Sequence, residues 1–150
     1  METIANFSGD YDFLSNFYEC TVVYEGIAYK SSEAAFQAAK TTDVELKKQI
    51  ALMTPSKAKR FCGPRGSLVL REDWDTIKDT VMLNVLLQKF SQNKDLADKL
   101  IATGNATLIE GNTWHDNYWG NCGCAKCVSK DGKNKLGQYL TLVRNTLVST

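Results

Sequence analysis

Several features that mark particular classes of protein are scarce in this 150-residue sequence. It has two prolines, no serine- or glycine-rich stretch that would link two domains, and no run of about 18 apolar residues that would span a membrane. Its 18 Lys and Arg are nearly balanced by 17 Asp and Glu, which argues against extensive non-specific binding to duplex nucleic acid. We expect a single domain over residues 1–150 that binds no membrane and takes a small nucleotide or one modified base.

The five cysteines are an odd number, and three of them, Cys122, Cys124 and Cys127, lie within six residues. Secreted disulfide frameworks usually carry an even number of cysteines. The segment Met1–Ile4 is acidic and lacks the apolar core of a signal peptide. We therefore expect a cytoplasmic protein with reduced thiols.

Hydrophobic periodicity predicts an α+β fold, a compact helix-rich domain with a short β-hairpin. Two β-prone runs flank Glu25 and Gly26, which predicts the hairpin. Ser31 precedes an alanine-rich run and is predicted to cap a helix that reaches Lys40. Further helices are predicted over residues 43–53, from Thr54, over 72–90 and 95–102, and from the predicted cap Asn134 to residue 148.

The predicted helix after Ser31 carries Glu33, Gln37 and Lys40, whose spacing places them on one face two turns long. Their neighbours are alanines and Phe36, so we expect the helix to be mostly buried. Buried polar groups are costly without partners, so one interpretation is that the row lines a pocket. The other is a solvated polar stripe on an amphipathic helix, which the pattern alone favours.

Two side chains of this row suit chemistry on a sugar. Glu33 lies in the first helical turn, where the helix dipole favours a carboxylate, and it can stabilise positive charge on a sugar or activate a water. Lys40 is an amine, and a lysine whose pKa is lowered by its surroundings can form a Schiff base with a sugar aldehyde.

A second candidate is the segment 112–120, which contains two of the three tryptophans and the only histidine. Aromatic side chains beside Asn, Asp and Gly in a loop can form the wall of a base- or sugar-binding site. Its candidate residues are Asp116, Trp119 and Gly120. The alternative is a loop that its tryptophans pin to the core.

Two further motifs leave alternatives open. The spacing of Cys122, Cys124 and Cys127, with His115 as a fourth ligand, is compatible with zinc, and reduced thiols in a surface insertion are the alternative. Arg65 lies in a glycine-rich turn, where a guanidinium and backbone N–H groups can hold a phosphate; an ordinary loop is the alternative. No metal ligand is assigned from the sequence.

Short segments follow one another in a specific order along the chain. They are Leu14–Phe17, Tyr29–Lys40, Leu70–Trp74, Lys89–Phe90, Asp116–Gly120, Asn134–Gly137 and Val143–Arg144. Together they resemble the NADAR family, the NAD- and ADP-ribose-associated domain of YbiA-like N-glycosidases. The similarity spans nearly the whole chain, and the cysteine-bearing segment is absent from the simplest members.

The resemblance implies a helix-rich α+β domain that hydrolyses N-glycosidic bonds of ribose without a cofactor. Two substrate classes are associated with such proteins: ADP-ribose attached to guanine, free or in nucleic acid, and early riboflavin-pathway ribosylaminopyrimidine phosphates. We expect the first. The riboflavin intermediates, and a non-catalytic module that binds ADP-ribose or NAD, are the alternatives.

Carried over by motif, the implied catalytic residues are Glu33, Lys40 and Asp116. Glu33 and Asp116 are the pair available to stabilise a developing oxocarbenium ion and to protonate the leaving base. In the branch that acts on ADP-ribosyl guanine, Lys40 would instead capture the anomeric carbon as a Schiff base. The residues implied to line or support the substrate site are Asn16, Phe17, Gln37, Arg65, Trp74, Trp119 and Gly120.

Overall fold

The computed structural model describes residues 2–149, which form two compact units. The first comprises residues 2–15 and 95–149, and the second comprises residues 16–94. Helices predominate and the strands are short, which confirms the predicted α+β class. None of the helices in the described residues is long and apolar enough to cross a membrane. The single domain over 1–150 stays a prediction.

The elements are short and follow closely on one another. The strands are β1 (Thr3–Ile4), β2 (Glu19–Tyr24), β3 (Ile27–Ser31), β4 (Thr107–Leu108), β5 (Gly111–Asn112) and β6 (Asn121–Cys122). The helices are a 3-10 helix (Gly9–Leu14) and α1 (Ser32–Ala38), α2 (Val44–Ile50), α3 (Pro55–Cys62), α4 (Trp74–Gln92), α5 (Lys94–Ala102) and α6 (Lys135–Val148). Each predicted helix is therefore present, with its ends displaced by a few residues.

The largest displacement is in α2, which ends at Ile50 rather than at the predicted Met53. The backbone N–H groups of Leu52 and Met53 donate to the carbonyls three residues earlier, so the chain tightens and leaves the α-helical pattern after Ile50, and Pro55 prevents the helix from resuming through Thr54. The residue before a proline is disfavoured in helical conformation, and Thr54 is extended, with ψ of 161°. Its hydroxyl accepts a hydrogen bond from the backbone N–H of Lys57 over 3.2 Å, so Thr54 begins α3 instead of prolonging α2.

The hairpin of the second unit is formed by β2 and β3, with Val22 opposite Tyr29 and both buried. Its turn residues Glu25 and Gly26 have φ of 51° and 85°. Two successive left-handed residues are typical of the type I′ turn, whose twist matches that of the paired strands. The predicted hairpin is confirmed.

Helix α1 lies at the centre of the second unit, and all of its residues are buried. It packs against the hairpin, α2, α3 and α4. Ala34, Ala35 and Ala38 present only methyl groups, which lets these neighbours approach closely. Ser31 Oγ accepts a hydrogen bond from the backbone N–H of Ala34 over 3.0 Å, which confirms the predicted N-cap.

In the first unit, β1 pairs in parallel with β4 and β5 pairs in parallel with β6. Helix α6 packs against β4 and buries Leu136, Leu140 and Val143. At Gly137, α6 lies so close to β4 that a Cβ there would be 2.0 Å from the carbonyl oxygen of Leu108. A side chain at this position would force the helix away from the strand.

Asn134 precedes α6 as predicted, but within the described chain its side chain does not cap the helix. Its amide nitrogen donates to the carbonyl oxygen of Leu108 over 2.8 Å, and its side-chain oxygen accepts from the backbone N–H of Glu110 over 2.9 Å. Asn134 has φ of 52°, a left-handed conformation that asparagine tolerates better than most residues. The predicted helix start is confirmed. The predicted cap is wrong because the side chain of Asn134 is hydrogen-bonded to backbone groups of Leu108 and Glu110 instead.

Candidate active site

The polar row of α1 is buried rather than solvated. Glu33 is 8% exposed and Gln37 is 5% exposed, and Gln37 Nε2 donates a hydrogen bond to Glu33 Oε2 over 2.7 Å. A hydrogen bond to a carboxylate is stronger than one between neutral groups, so this bond fixes both side chains. The solvated stripe that the pattern alone favours is therefore wrong for these two residues, because neighbouring elements cover the face that carries them.

Gln37 also carries an unused hydrogen-bond acceptor. Its Oε1 is buried and has no hydrogen-bond partner within residues 2–149. The carboxylate of Glu33 accepts but does not donate when ionised, so the amide nitrogen must face it and the amide oxygen must face elsewhere. A buried acceptor without a partner costs about 1–3 kcal/mol, and a donor group on a substrate would remove that cost.

Lys40 follows α1 and is half-buried. Burial lowers the pKa of its amine and the charge of Lys59 adds to this, whereas Glu33 and Cys62 act in the opposite direction. A lower pKa increases the fraction of neutral amine, which is the nucleophilic form. The pKa of Lys40 is thus displaced in the direction that Schiff-base chemistry requires.

Arg71 holds the end of α1 and was not among the predicted site residues. Its backbone N–H donates to the carbonyl oxygen of Lys40 over 2.9 Å, and its Nη1 donates to that of Ala39 over 3.5 Å. Its Nε and Nη2 bind both carboxylate oxygens of Asp73 over 2.6 and 3.1 Å. Hydrogen bonding to Arg71 lowers the pKa of Asp73. In the sequence, Arg71 lies within the segment Leu70–Trp74, two residues before Asp73 and just before a helix, and nothing local marks it as a site residue.

Trp74 begins α4 and is buried against α1. Its ring centroid lies 5.1 Å from that of Phe36, at an interplanar angle of 60°. Phe17 is more accessible, at 39% exposed, and Lys59 Nζ lies 5.5 Å from the centre of its ring. Trp74 therefore supports α1 from the side, while Phe17 is partly exposed.

Asn16 supports the first turn of α1. Its backbone carbonyl accepts from the N–H of Glu33 over 3.0 Å, and its Oδ1 accepts from the hydroxyl of Ser32 over 2.8 Å. Its Nδ2 contacts the sulfur of Met82 at 3.5 Å. The side chain is buried and both ends of its amide are engaged by Ser32 and Met82, while the backbone carbonyl of Asn16 holds the N–H of Glu33.

Arg65 is exposed in the turn that follows α3. The turn is tight, because a Cβ on Gly66 would lie 1.8 Å from the carbonyl oxygen of Phe61. Cys62, at the end of α3, is buried, and burial raises the pKa of its thiol to about 11. Cys62 is therefore a neutral thiol near pH 7, and the phosphate contact by Arg65 stays a prediction.

The tryptophan-bearing loop of the first unit is organised by Asp116. Its Oδ1 accepts from the backbone N–H groups of Tyr118 and Trp119 over 3.1 and 2.9 Å. The backbone N–H of Asp116 donates to Asn112 Oδ1 over 3.1 Å, and its carbonyl accepts from Asn112 Nδ2 over 2.8 Å. One oxygen of this carboxylate thus shapes the loop, and its predicted catalytic role stays a prediction.

The aromatic rings of this loop are only partly covered. Trp119 is half-buried and packs edge-on against Tyr118, with ring centroids 4.8 Å apart. Trp114 is 59% exposed, so it does not pin the loop to the core. Gly120 has a packing role, because a Cβ there would lie 2.2 Å from the carbonyl oxygen of Glu110. Substrate contacts by Trp119 and Gly120 stay predictions.

The first unit also contains a cavity of about 530 Å³. Tyr11, Phe13 and Lys99 are among its lining residues, and Lys99 Nζ lies 5.7 Å from the centre of the Phe13 ring. None of the predicted site residues is among the described residues that line it, so it belongs to neither candidate site.

The four side chains that the sequence suggests as zinc ligands lie close together in the structure. The ligand atoms of His115, Cys122, Cys124 and Cys127 all lie within 4.8 Å of one another. Cys122 and Cys127 are buried, Cys124 is half-buried and His115 is exposed. All three cysteines are free thiols.

Comparison with known proteins places these features in a family. Residues 5–148 match the model of the NADAR domain. The chain is 36% identical over 149 residues to N-glycosidase YbiA of Escherichia coli (strain K12), covering 97% of this chain and 89% of that protein. It is 36% identical over 139 residues to Riboflavin biosynthesis protein VVA0006 of Vibrio vulnificus (strain YJ016), covering 92% of this chain and 36% of that protein.

A solved structure agrees with the sequence comparison. The NMR structure of the E. coli protein YbiA matches with a TM-score of 0.81 and 34% identity, over 99% of this chain and 88% of that chain. The resemblance inferred from the ordered segments is thereby confirmed. This chain belongs to the NADAR domain family and is an enzyme of the N-glycosidase class.

Proposed function

We propose that this chain hydrolyses the N-glycosidic bond that joins ADP-ribose to guanine. The observation that carries the proposal is the buried Glu33–Gln37 hydrogen bond, with the unpartnered Gln37 Oε1 beside it. The half-buried Lys40, whose pKa is lowered, lies two residues beyond the end of that helix, which stops at Ala38 rather than reaching Lys40 as predicted. The proposed hydrolysis requires three groups of this kind: a fixed carboxylate, an unpartnered hydrogen-bond acceptor and a nucleophilic amine.

In the proposed reaction the neutral amine of Lys40 attacks the anomeric carbon of the ribose. The new N–C bond forms as the bond to guanine breaks, and guanine leaves with the electron pair and takes the proton that the amine loses. The ribose ring then opens, its oxygen takes up a proton, and a protonated Schiff base results. One water adds to the Schiff-base carbon, which releases ADP-ribose and restores both the amine and the proton.

Glu33 and Gln37 have separate roles in this scheme. Positive charge develops at the anomeric carbon as guanine departs, and the Glu33 carboxylate stabilises it. Gln37 Oε1 accepts a hydrogen bond from a ribose hydroxyl or a base N–H. We assign Asp116 as the group that assists departure of the base, and Asn16, Phe17, Arg65, Trp74, Trp119 and Gly120 as residues that contact or support the substrate.

A second substrate class is favoured by a specific observation. One relative that matches 92% of this chain is named a riboflavin biosynthesis protein. The alternative substrate is therefore a ribosylaminopyrimidine phosphate of the early riboflavin pathway, cleaved by the same carboxylate. A direct attack by water, activated by Glu33, would suit this substrate without a covalent intermediate.

The test is a substrate panel analysed by chromatography. It contains ADP-ribosylated guanosine, an ADP-ribosylated guanine in an oligonucleotide, and the riboflavin-pathway intermediates. We expect release of ADP-ribose from the guanine conjugates. Release from the riboflavin intermediates alone would select the second substrate class. Tight binding of ADP-ribose in calorimetry, with no product from any substrate, would overturn the proposal in favour of a binding module.

A further inference from the structure

The side chains of His115, Cys122, Cys124 and Cys127 have the spacing of a zinc coordination shell. Three distances run from His115 Nδ1 to the sulfurs: 3.3 Å to Cys124, 3.3 Å to Cys127 and 3.9 Å to Cys122. Tetrahedral zinc, with Zn–S near 2.3 Å and Zn–N near 2.0–2.1 Å, places a nitrogen and a sulfur ligand about 3.5–3.6 Å apart. The observed distances lie on both sides of that value.

Hydrogen bonding alone does not account for this cluster. A single imidazole nitrogen donates or accepts one good hydrogen bond, yet three sulfurs surround Nδ1 of His115. Because Nδ1 can either donate one proton or accept one, at most one of its three contacts with sulfur is a good hydrogen bond in any protonation state. A cation at the centre would satisfy all four ligand atoms together.

The surrounding backbone also holds the four side chains in place. His115 has φ of 69°, an uncommon conformation for a residue other than glycine, and its N–H donates to Cys122 Sγ over 3.3 Å. The N–H of Cys122 is held by Asn117 Oδ1 over 2.9 Å. The N–H of Cys127 donates to the carbonyl of Cys124 over 3.0 Å, which closes the turn between these two cysteines.

From this geometry we propose that His115, Cys122, Cys124 and Cys127 bind one Zn²⁺ ion with a structural role. Thiolate and imidazole ligands are those that zinc prefers. Four protein ligands fill a tetrahedral shell and leave no position for a substrate or a reactive water, which is typical of a structural site. The ion would join the start of the tryptophan-bearing loop to the segment 122–127.

The first test is metal analysis of the full chain, purified under reducing conditions without chelator. We expect one zinc per chain. We also expect that replacing zinc by Co²⁺ produces the visible absorption of a tetrahedral cobalt site with thiolate ligands. Zinc far below one per chain, together with no such absorption when Co²⁺ is titrated into the reduced protein, overturns the proposal. The cobalt measurement uses the unsubstituted protein and so does not depend on a variant that folds.

Matched cysteine variants assign the ligands. Cys124→Ser changes the most accessible of the three thiols and is expected to lose the bound zinc. Cys20→Ser, in β2 of the other unit, is the control and is expected to keep it. Retention of stoichiometric zinc by both Cys124→Ser and Cys127→Ser would overturn the assignment.

A thiol count separates the zinc site from a disulfide. In denatured, unreduced protein treated with chelator, all five cysteines are expected to react with a thiol reagent. Reaction of only three would show one disulfide, and its location by peptide mapping between two of Cys122, Cys124 and Cys127 would overturn the proposal. These measurements do not use enzymatic activity, so their outcome is independent of the proposed substrate.

Discussion

Gln37 Nε2 donates to Glu33 Oε2 over 2.7 Å within α1, one helical turn apart and buried from solvent. This single contact orients both the Glu33 carboxylate and the Gln37 amide. The Glu33 carboxylate is held in one rotamer, and the opposite end of the amide, Oε1, is left facing away without a partner in the described residues. Under the proposed function, a bound substrate would meet a fixed carboxylate and a fixed acceptor on the same helix face.

Glu33→Gln should slow base release by about 10²-fold or more, since general acid–base and electrostatic groups commonly contribute that much. The substitution keeps the shape and a hydrogen-bonding oxygen but removes the negative charge. Glu45→Gln, on the exposed face of α2, is the matched control and should keep full activity. The measurement is the initial rate of ADP-ribose release. Equal rates for Glu33→Gln and the unsubstituted protein would refute the assigned role.

Lys40→Met should abolish covalent capture of the substrate. In the unsubstituted protein, borohydride added during turnover should reduce the Schiff base and attach the sugar irreversibly at Lys40, detected by peptide mass spectrometry. Lys57→Met, an exposed lysine of α3, should still be trapped. Normal turnover with no trapped adduct in the unsubstituted protein would exclude the Schiff base and favour direct attack by water.

The lowered pKa of Lys40 also predicts a pH dependence of stability. The unfolded chain, with an ordinary lysine pKa near 10.5, holds the proton more tightly than the folded chain does. The contribution of this group to the free energy of unfolding therefore rises as pH increases from the folded pKa towards the unfolded one. Relative to Lys40→Met, the unsubstituted protein should be least stable at neutral pH and should approach the variant above pH 10.5. Urea unfolding across this range measures it, and parallel curves would contradict it.

Arg71→Met should lower activity through Lys40 rather than through direct contact with substrate. The variant keeps the backbone N–H bond to the Lys40 carbonyl but loses the side-chain bond from Nη1 to the Ala39 carbonyl, so the end of α1 loosens beside Lys40 and kcat should fall several-fold. Loss of Asp73, which orients the guanidinium, should act in the same direction. Asp75→Asn, which breaks an exposed 3.5 Å pair with Lys78, is the control and should change little. Equal kcat values for the Arg71 and Asp75 variants would remove Arg71 from the positioning role.

Local signals were enough to predict α1, its cap and the hairpin. Ser31 and the Glu25–Gly26 turn act on backbone groups a few residues away, so their effect does not depend on the rest of the fold. The burial of Glu33 and Gln37 was not predictable in this way. Periodicity shows which residues share a face, but α3 and α4, which pack against that helix, come from later in the chain.

Asn134 is a case in which a local sequence rule fails because of contacts with distant residues. A local rule makes it an N-cap, yet its side chain satisfies backbone groups of Leu108 and Glu110, which lie 26 and 24 residues earlier. The Arg71 contacts with the end of α1 are likewise long-range and carry no spacing signal. Asn134 and Arg71 are thus held by segments that lie far away in the sequence, and a single sequence does not reveal those pairings.

Gly137→Ala should destabilise the first unit by about 1–3 kcal/mol, the usual cost of forcing extra volume into a packed contact. The new methyl would lie 2.0 Å from the backbone carbonyl oxygen of Leu108, and a backbone atom cannot rotate away as a side chain can. Gly123→Ala is the control, since a Cβ there meets nothing within 4 Å. Urea unfolding should show a lower midpoint for the first variant and little change for the second. Equal midpoints would mean that α6 and β4 separate at little cost, and that their close packing is not required for stability.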